Sequence, residues 1–147
     1  VMSGYWKRIE ETKETIQPDG WLKTGDLGHL DEKGRLYISA GRKKDLIIRA
    51  GENVSPLAIE NALMGHPAPA EVAAVGIVDE RTGEKVKVCV VLREGADATE
   101  QELKDFCKKN LPAFMTPDLI EFHESLPKTA TGKIIKSQLK RPLGLTQ

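Results

Sequence analysis

Two apolar rhythms run along this chain. Residues 72–78 (Val-Ala-Ala-Val-Gly-Ile-Val) are apolar on both faces, as a central strand covered on both sides should be. A turn at residues 79–84 follows. Val86, Val88, Val90 and Leu92 then alternate with Lys85, Lys87, Cys89 and Arg93, which predicts a strand with one wetter face. Helical spacing appears at Ile59, Ala62 and Leu63, behind Ser55 as N-cap and Pro56 as first helical residue, whose missing N–H is harmless there. The Gly-His-Pro at residues 65–67 stops this helix. Thr99 and Glu102 form a capping box for a second helix, with Leu103, Phe106 and Cys107 as its buried stripe. Residues 119–123 read as a third strand. Ile134, Ile135 and Leu139 read as a short last helix with a basic exposed side.

Upstream the elements are shorter. Residues 5–16 form a polar short helix anchored by Trp6, Ile9 and Ile16, and residues 18–20 (Pro-Asp-Gly) a turn. Residues 27–30 and 35–39 are the arms of a β-hairpin closed by residues 31–34. Residues 46–49 are a short strand turning through 50–53, where Gly51 supplies a positive φ. From residue 46 onward the order is hairpin, helix, strand, strand, helix, strand, helix. The fold class is therefore α+β: a short β-hairpin and a three-stranded sheet covered by helices, preceded by another β-hairpin.

Composition narrows the function classes. The 147 residues suffice for a core, and 39% hydrophobic with 30% charged residues is globular usage. Lys plus Arg (22) balance Asp plus Glu (22), which argues against a general nucleic-acid or membrane-surface binder. The apolar runs are far too short for a transmembrane segment. The chain opens on Val1 without the pattern of a signal peptide, and reads as a piece of a longer protein. Cys89 and Cys107 make neither a disulfide framework nor a zinc knuckle, and His29, His66 and His123 lack ligand spacing, so no metal site is expected. The cytoplasm is the default compartment.

Three stretches could carry chemistry. Residues 126–141 hold five cations (Lys128, Lys133, Lys136, Lys140, Arg141) and no carboxylate. Within them a Gly132-Lys133 pair follows a Thr-rich loop and could present an ammonium to a phosphate or carboxylate. It is not a Walker A loop, because Pro127 stands where the first Gly belongs and Ile134 where a magnesium-binding hydroxyl would be. From charge alone a solvated basic tail is the favoured reading. Asp26, in Thr24-Gly25-Asp26, is either a turn residue or a carboxylate placed to bridge a ribose diol. Arg42, Lys43 and Lys44 are either a solvated charge run or an anion contact, for which the planar guanidinium of Arg is suited.

Taken in order, Gly20-Trp21-Leu22-Lys23-Thr24-Gly25-Asp26, Gly41-Arg42-Lys43-Lys44-Asp45, Gly51-Glu52-Asn53-Val54 and Pro127-Lys128-Thr129-Ala130-Thr131-Gly132-Lys133 resemble the C-terminal part of acyl-CoA synthetases, members of the adenylate-forming superfamily. The resemblance covers nearly the whole chain. It implies that residues 1–43 end a large AMP-binding domain and residues 44–147 form a small mobile one. It implies that Thr24, Asp26 and Arg42 bind the nucleotide, with Asp26 on the ribose hydroxyls. Lys133 would be the catalytic lysine reaching the carboxylate and α-phosphate during adenylation. Lys44 would be the hinge about which the domain rotates between half-reactions. Gly51, Glu52 and Asn53 would then approach the CoA channel for thioester formation. ATP, CoA and Mg2+ are the implied cofactors, the magnesium held mainly by residues outside this chain. The implied partners are a carboxylic acid, fatty in kind, and the remainder of the enzyme.

Two departures from the family pattern stand out. Residues 39–41 look one residue longer than usual, which predicts a bulge that affects the aim of Arg42. Ala58 stands where the family often has Glu. Trp6, Trp21 and Tyr37 are expected to be unusually exposed in this chain alone. The competing readings are an adenylation domain that loads a carrier protein, and a module that binds an anionic partner through its basic tail.

Overall fold

A computed structural model describes residues 2–140, with the side chains of Ser39 and Ala40 outside that description. The described helices are α1 (Ile9–Thr15), α2 (Pro56–Met64) and α3 (Glu100–Asn110). The strands are β1 (Asp26–Leu30), β2 (Leu36–Arg42), β3 (Ile47–Arg49), β4 (Glu52–Val54), β5 (Pro69–Asp79), β6 (Gly83–Leu92) and β7 (Leu119–Phe122). β1 and β2 form a separate antiparallel hairpin. No described helix is long and apolar enough to cross a membrane.

β6 is the axis of the larger sheet. One edge pairs antiparallel with β5 from Pro69↔Leu92 to Asp79↔Gly83. The other edge is shared: β3 meets it at Arg49↔Gly83, and β7 runs parallel to it from Lys87↔Leu119 to Val90↔Phe122. With β4 paired to β3, the expected hairpin and the expected three strands join in one five-stranded sheet. The α+β class stands.

Both faces of this sheet are covered over its middle, although β5 is an edge strand rather than the expected central one and its Val78 is 92% exposed. On one face, Val72, Ala74, Val86, Val88 and Val90 pack with Ile59 and Leu63 of α2 and Leu103 and Cys107 of α3. On the other, Ala73, Val75 and Cys89 are roofed by Leu126 and Leu139 of the C-terminal segment. That roof corrects the expectation of a wet face at the middle of β6, where Lys87 and Cys89 are buried at 4% and 0% exposure, while Lys85 and Arg93 toward its ends are exposed as expected. Alternation reported the side-chain directions correctly but could not report a cover arriving from residues 126–139.

The capped helices follow their sequence signals. Ser55 Oγ accepts from Ala58 N at 3.2 Å with Pro56 in the first turn, and Thr99 and Glu102 complete the capping box in both directions. Phe106 is only half-buried and sets its edge against His66, with ring centroids 5.0 Å apart, so it ties α3 to the end of α2 rather than filling the core stripe. The expected last helix is a single 3-10 turn, Lys136–Gln138. Ile134 cannot join it, because its backbone is bridged to Lys128. Trp6 and Trp21 are exposed at 86% and 76%, and Tyr37 at 43%.

One ion pair locks the shared edge of β6. Arg49 Nη2 lies 2.6 Å from Asp118 Oδ1, and Arg49 Nη1 donates to the carbonyls of Phe114 and Thr116. The second Asp118 oxygen accepts from Val86 N at 2.8 Å. Both side chains are largely buried, so removing the carboxylate leaves the guanidinium with two carbonyl acceptors but no counter-ion, and a core N–H without an acceptor. Asp118→Ala is expected to destabilise the fold by about 3 kcal/mol. Urea unfolding followed by circular dichroism measures this, and a loss under about 0.5 kcal/mol, the range of ordinary surface substitutions, contradicts it.

Candidate functional site

The β1–β2 register builds the first half of the site. Pairing runs Leu30↔Leu36, His29↔Tyr37 and Gly28↔Ile38, then jumps to Leu27↔Gly41 and Asp26↔Arg42. The skipped residues 39 and 40 are the expected bulge, and they bring Arg42 opposite Asp26, where an unbroken register would place Ala40. Arg42 Nε then lies 3.5 Å from Asp26 Oδ1, with both side chains partly exposed. Gly28 has no alternative on this strand, since a Cβ there would sit 2.5 Å from the Tyr37 carbonyl oxygen. Thr24 Oγ accepts from Asp26 N at 3.1 Å, and Gly25 O accepts from Lys43 N at 2.8 Å. The latter bond holds the 3-10 turn Lys43–Asp45, which carries Lys44 between β2 and β3. Thr24, Gly25, Arg42 and Lys44 line a cavity of about 480 Å³.

The second half is the turn that presents Lys133. Thr129 N donates to Lys133 O at 2.8 Å, and Gly132 N donates back to Thr129 O at 2.9 Å. The Thr129 hydroxyl accepts from Lys133 N at 3.1 Å and lies 2.9 Å from that of Thr131. Gly132 takes φ +82°, a left-handed conformation suited to glycine. Lys133 thus has a fixed backbone and an exposed side chain with no ion-pair partner among the described residues. Arg42, Lys44, Lys133 and Lys140 border one cleft of about 590 Å³.

The basic tail is therefore not uniform. Lys128 Nζ is 2.7 Å from Glu71 Oε1, and Lys136 Nζ is 2.7 Å from Glu60 Oε1. These partners were invisible in the sequence, because they lie more than 55 positions away. Arg141 falls outside the described residues. A tail whose lysines alternate between paired and unpaired is a built turn rather than a solvated charge run.

Residues 51–53 are not among those lining the cleft. They form the tip and first residues of the β3–β4 hairpin, with Ala50 at φ +50° and Gly51 at φ +85°, both positive as a two-residue primed turn requires. Its entry is pinned by Glu84, whose Oε2 accepts from Ile48 N at 2.7 Å. Gly76 makes room for that carboxylate, since a Cβ there would lie 2.5 Å from Glu84 Oε1.

The architecture is that of the small α+β C-terminal domain of adenylate-forming enzymes. The chain belongs to the AMP-binding enzyme C-terminal domain family, which it matches over residues 58–133. It is 47% identical to the long-chain-fatty-acid–CoA ligase of Bacillus subtilis over 95% of its own length and 24% of that protein's. It therefore spans about a quarter of the length of the curated relatives it matches. Its backbone superposes on o-succinylbenzoate CoA synthetase from Bacillus subtilis, in complex with an acyl-adenylate intermediate, with a TM-score of 0.89 at 38% identity over 97% of this chain and 28% of that one. For MatB from Rhodopseudomonas palustris the TM-score is 0.86 against the ATP-bound form at 36% identity and 0.70 against the apo form at 37%, each over 95% of this chain and 28% of that one.

Away from the cleft, the β6–β7 register brings Cys89, Glu121 and His123 together, their ligand atoms within 4.8 Å of one another. Their separation in sequence hid this cluster. Lys87 Nζ sits 2.6 Å from Glu121 Oε2 and supplies the positive charge that a metal ion would bring. Burial pushes the Cys89 thiol up to about 11, and burial alone does the same to Cys107. At about pH 8 both thiols of the folded chain should resist a thiol reagent that labels both once denaturant is added, because the thiolate is the reactive form. Because the unfolded thiols ionise first, stability should fall as pH rises from about 9 to about 11. Rapid labelling of either native thiol contradicts the buried, protonated assignment.

Proposed function

We propose that this chain is the C-terminal part of an ATP-dependent acyl-CoA synthetase acting on a fatty acid, with residues 1–43 closing its large domain and residues 44–147 forming its small mobile one. The carrying observation is the cleft that sets the unpartnered Lys133 against Arg42, itself paired in register with Asp26. The identity to a long-chain-fatty-acid–CoA ligase supports the substrate class, and the CoA ligases among the relatives favour CoA over a carrier-borne thiol as acceptor. The paired state of Lys128 and Lys136 weighs against an anion-binding tail.

In this reading a carboxylate oxygen of the acid attacks the α-phosphorus of ATP, and the bond to pyrophosphate breaks. Negative charge concentrates on the phosphoryl oxygens, and the Lys133 ammonium offsets it where water is excluded. Asp26 accepts from the ribose hydroxyls, Thr24 orders the Asp26 backbone, and Arg42 lies beside the ribose and phosphate. The higher TM-score to ATP-bound than to apo MatB supports an arrangement suited to this step. In the second step the CoA sulfur attacks the acyl carbon and AMP leaves. No cation is needed on phosphorus then, so Lys133 withdraws by rotation at Lys44, which sits between two elements that can absorb a change of φ and ψ. The turn at Gly51, Glu52 and Asn53 replaces it beside the thiol. The cleft does not fit Mg2+: Asp26 faces Arg42 and Asp45 stands among lysines, leaving no pair of free carboxylates. Magnesium belongs to the rest of the enzyme, which is read as cytoplasmic.

Two outcomes are expected. The isolated chain, given a fatty acid, ATP and CoA, forms no acyl-CoA, and any turnover dependent on the chain contradicts this. In the full-length enzyme, Lys133→Ala lowers adenylation, followed by pyrophosphate exchange into ATP, about a hundredfold or more. Transfer of supplied acyl-adenylate to CoA stays at the wild-type rate. Survival of both half-reactions would remove Lys133 from the mechanism.

A further inference from the structure

The two lysines flanking the Lys133 turn are tied to acidic residues on the rigid part of the domain. Lys136 reaches Glu60 on α2, and Lys128 reaches Glu71 on β5. Glu60 also accepts from Ala74 N through the same Oε1, at 2.8 Å, on the edge of β5 that β6 leaves free. One carboxylate thus joins α2, β5 and the chain just past Lys133. On the other side, Glu71 ties β5 to the chain just before Lys133. Between the two ties the turn closes on itself through Thr129–Lys133 hydrogen bonds, the Lys128↔Ile134 bridge and the bond from Ile135 N to Pro127 O at 2.8 Å. The charged side chain between the two ties, Lys133, is exposed and has no ion-pair partner among the described residues.

We infer that Glu60 and Glu71 are positioning residues for Lys133, clamping both ends of its turn so that the ammonium enters the cleft at one height and angle. This rests on the reading of Lys133 as the adenylation lysine. The physical case is one of precision and charge. Leu126, Leu139 and Ile134 seat the segment on the sheet by apolar contact, which sets where it lies but, being non-directional, leaves the tilt of the turn to the two ion pairs. A tilt of about 1 Å at a charge-stabilising group is enough to slow a reaction on the order of a hundredfold. The clamp also removes Lys128 and Lys136 as competitors for the anion, so that substrate charge meets Lys133.

The test uses the full-length enzyme with Glu60→Gln and Glu71→Gln, singly and together. Gln keeps an acceptor for Ala74 N while removing the charge. Lys136→Arg serves as the conservative control, and Lys133→Ala as the reference. Pyrophosphate exchange, CoA transfer from supplied acyl-adenylate and the thermal midpoint are read in parallel. The double variant should lose about tenfold or more in adenylation kcat, with little change in KM for ATP and CoA transfer at the wild-type rate. Lys136→Arg should retain most of the activity. Should the double variant fold poorly, Lys128→Met with Lys136→Met cuts the same ties from their more exposed ends and must give the same split. The inference is overturned if adenylation stays within about twofold of wild type while Lys133→Ala collapses, or if both half-reactions and the melting temperature fall together, as they would for a merely structural pair. If Lys133→Ala itself leaves adenylation intact, the functional reading fails and takes the clamp with it.

Discussion

Asp118 is where separate parts of this domain are made into one. Its two oxygens divide between Arg49 at the end of β3 and the backbone of Val86 in β6. On the same residue, the Asp118 carbonyl receives the ammonium of Lys104 from α3. β3 has only one ladder position on β6, so apart from Ile47 and Val54 in the core the hairpin it carries meets the sheet by a single rung. The ion pair supplies the second point of attachment, and the Glu84–Ile48 bond a third. These directional contacts fix an orientation that the apolar burial of Ile47 and Val54 alone would not. The hairpin tip at residues 50–53 can therefore project into solvent without losing its aim.

The C-terminal segment is governed by a different constraint. β6 presents apolar or buried side chains on both faces, so the sheet needs a cover opposite its helices. Leu126 and Leu139 provide it, roofing Ala73, Val75 and Cys89. The turn carrying Lys133 lies between those two anchors. Its location is thus a by-product of burial: the hydrophobic effect brings the segment down onto the sheet, and the hydrogen bonds of Thr129 then shape what lies between the contact points. Burying Lys87 beneath this roof is tolerable because Glu121 sits across the parallel β6–β7 pair, one strand away in register from Cys89.

What was legible in the sequence was local. The Ser55-Pro56 start, the Thr99 capping box and the positive φ of Gly51 each depend on residues within four positions of one another, and each appears as read. The bulge at residues 39–41 was legible as a length anomaly, although only the ladder reveals that it aligns Arg42 with Asp26. Distant pairs were not legible. Glu60 looks like any polar residue on an exposed helical face, and nothing near it hints at Lys136. The wet face predicted for β6 failed at Lys87 and Cys89 for the same reason, since their cover comes from residues 126–139, while Lys85 and Arg93 are exposed as read. The short last helix failed on competition: Ile134 had a strand-like bridge available, and the chain took it.

The charge balance of the chain, neutral in sum, conceals an ordered division. The cations paired with carboxylates from other parts of the chain (Arg49, Lys87, Lys128, Lys136) hold elements together. Among the described residues at the cleft, Lys44, Lys133 and Lys140 have no such carboxylate, and Arg42 has one only at 3.5 Å. An unpaired ammonium in water is well solvated, so leaving these open costs the fold little. They acquire value only when an anion and a low-dielectric wall arrive together. On the two-step reading proposed above, this division suits a domain that offers its cation to one step and withholds it from the next. The pairs that define the shape would then survive the proposed rotation unchanged, and the cation offered to the first step would be free on arrival.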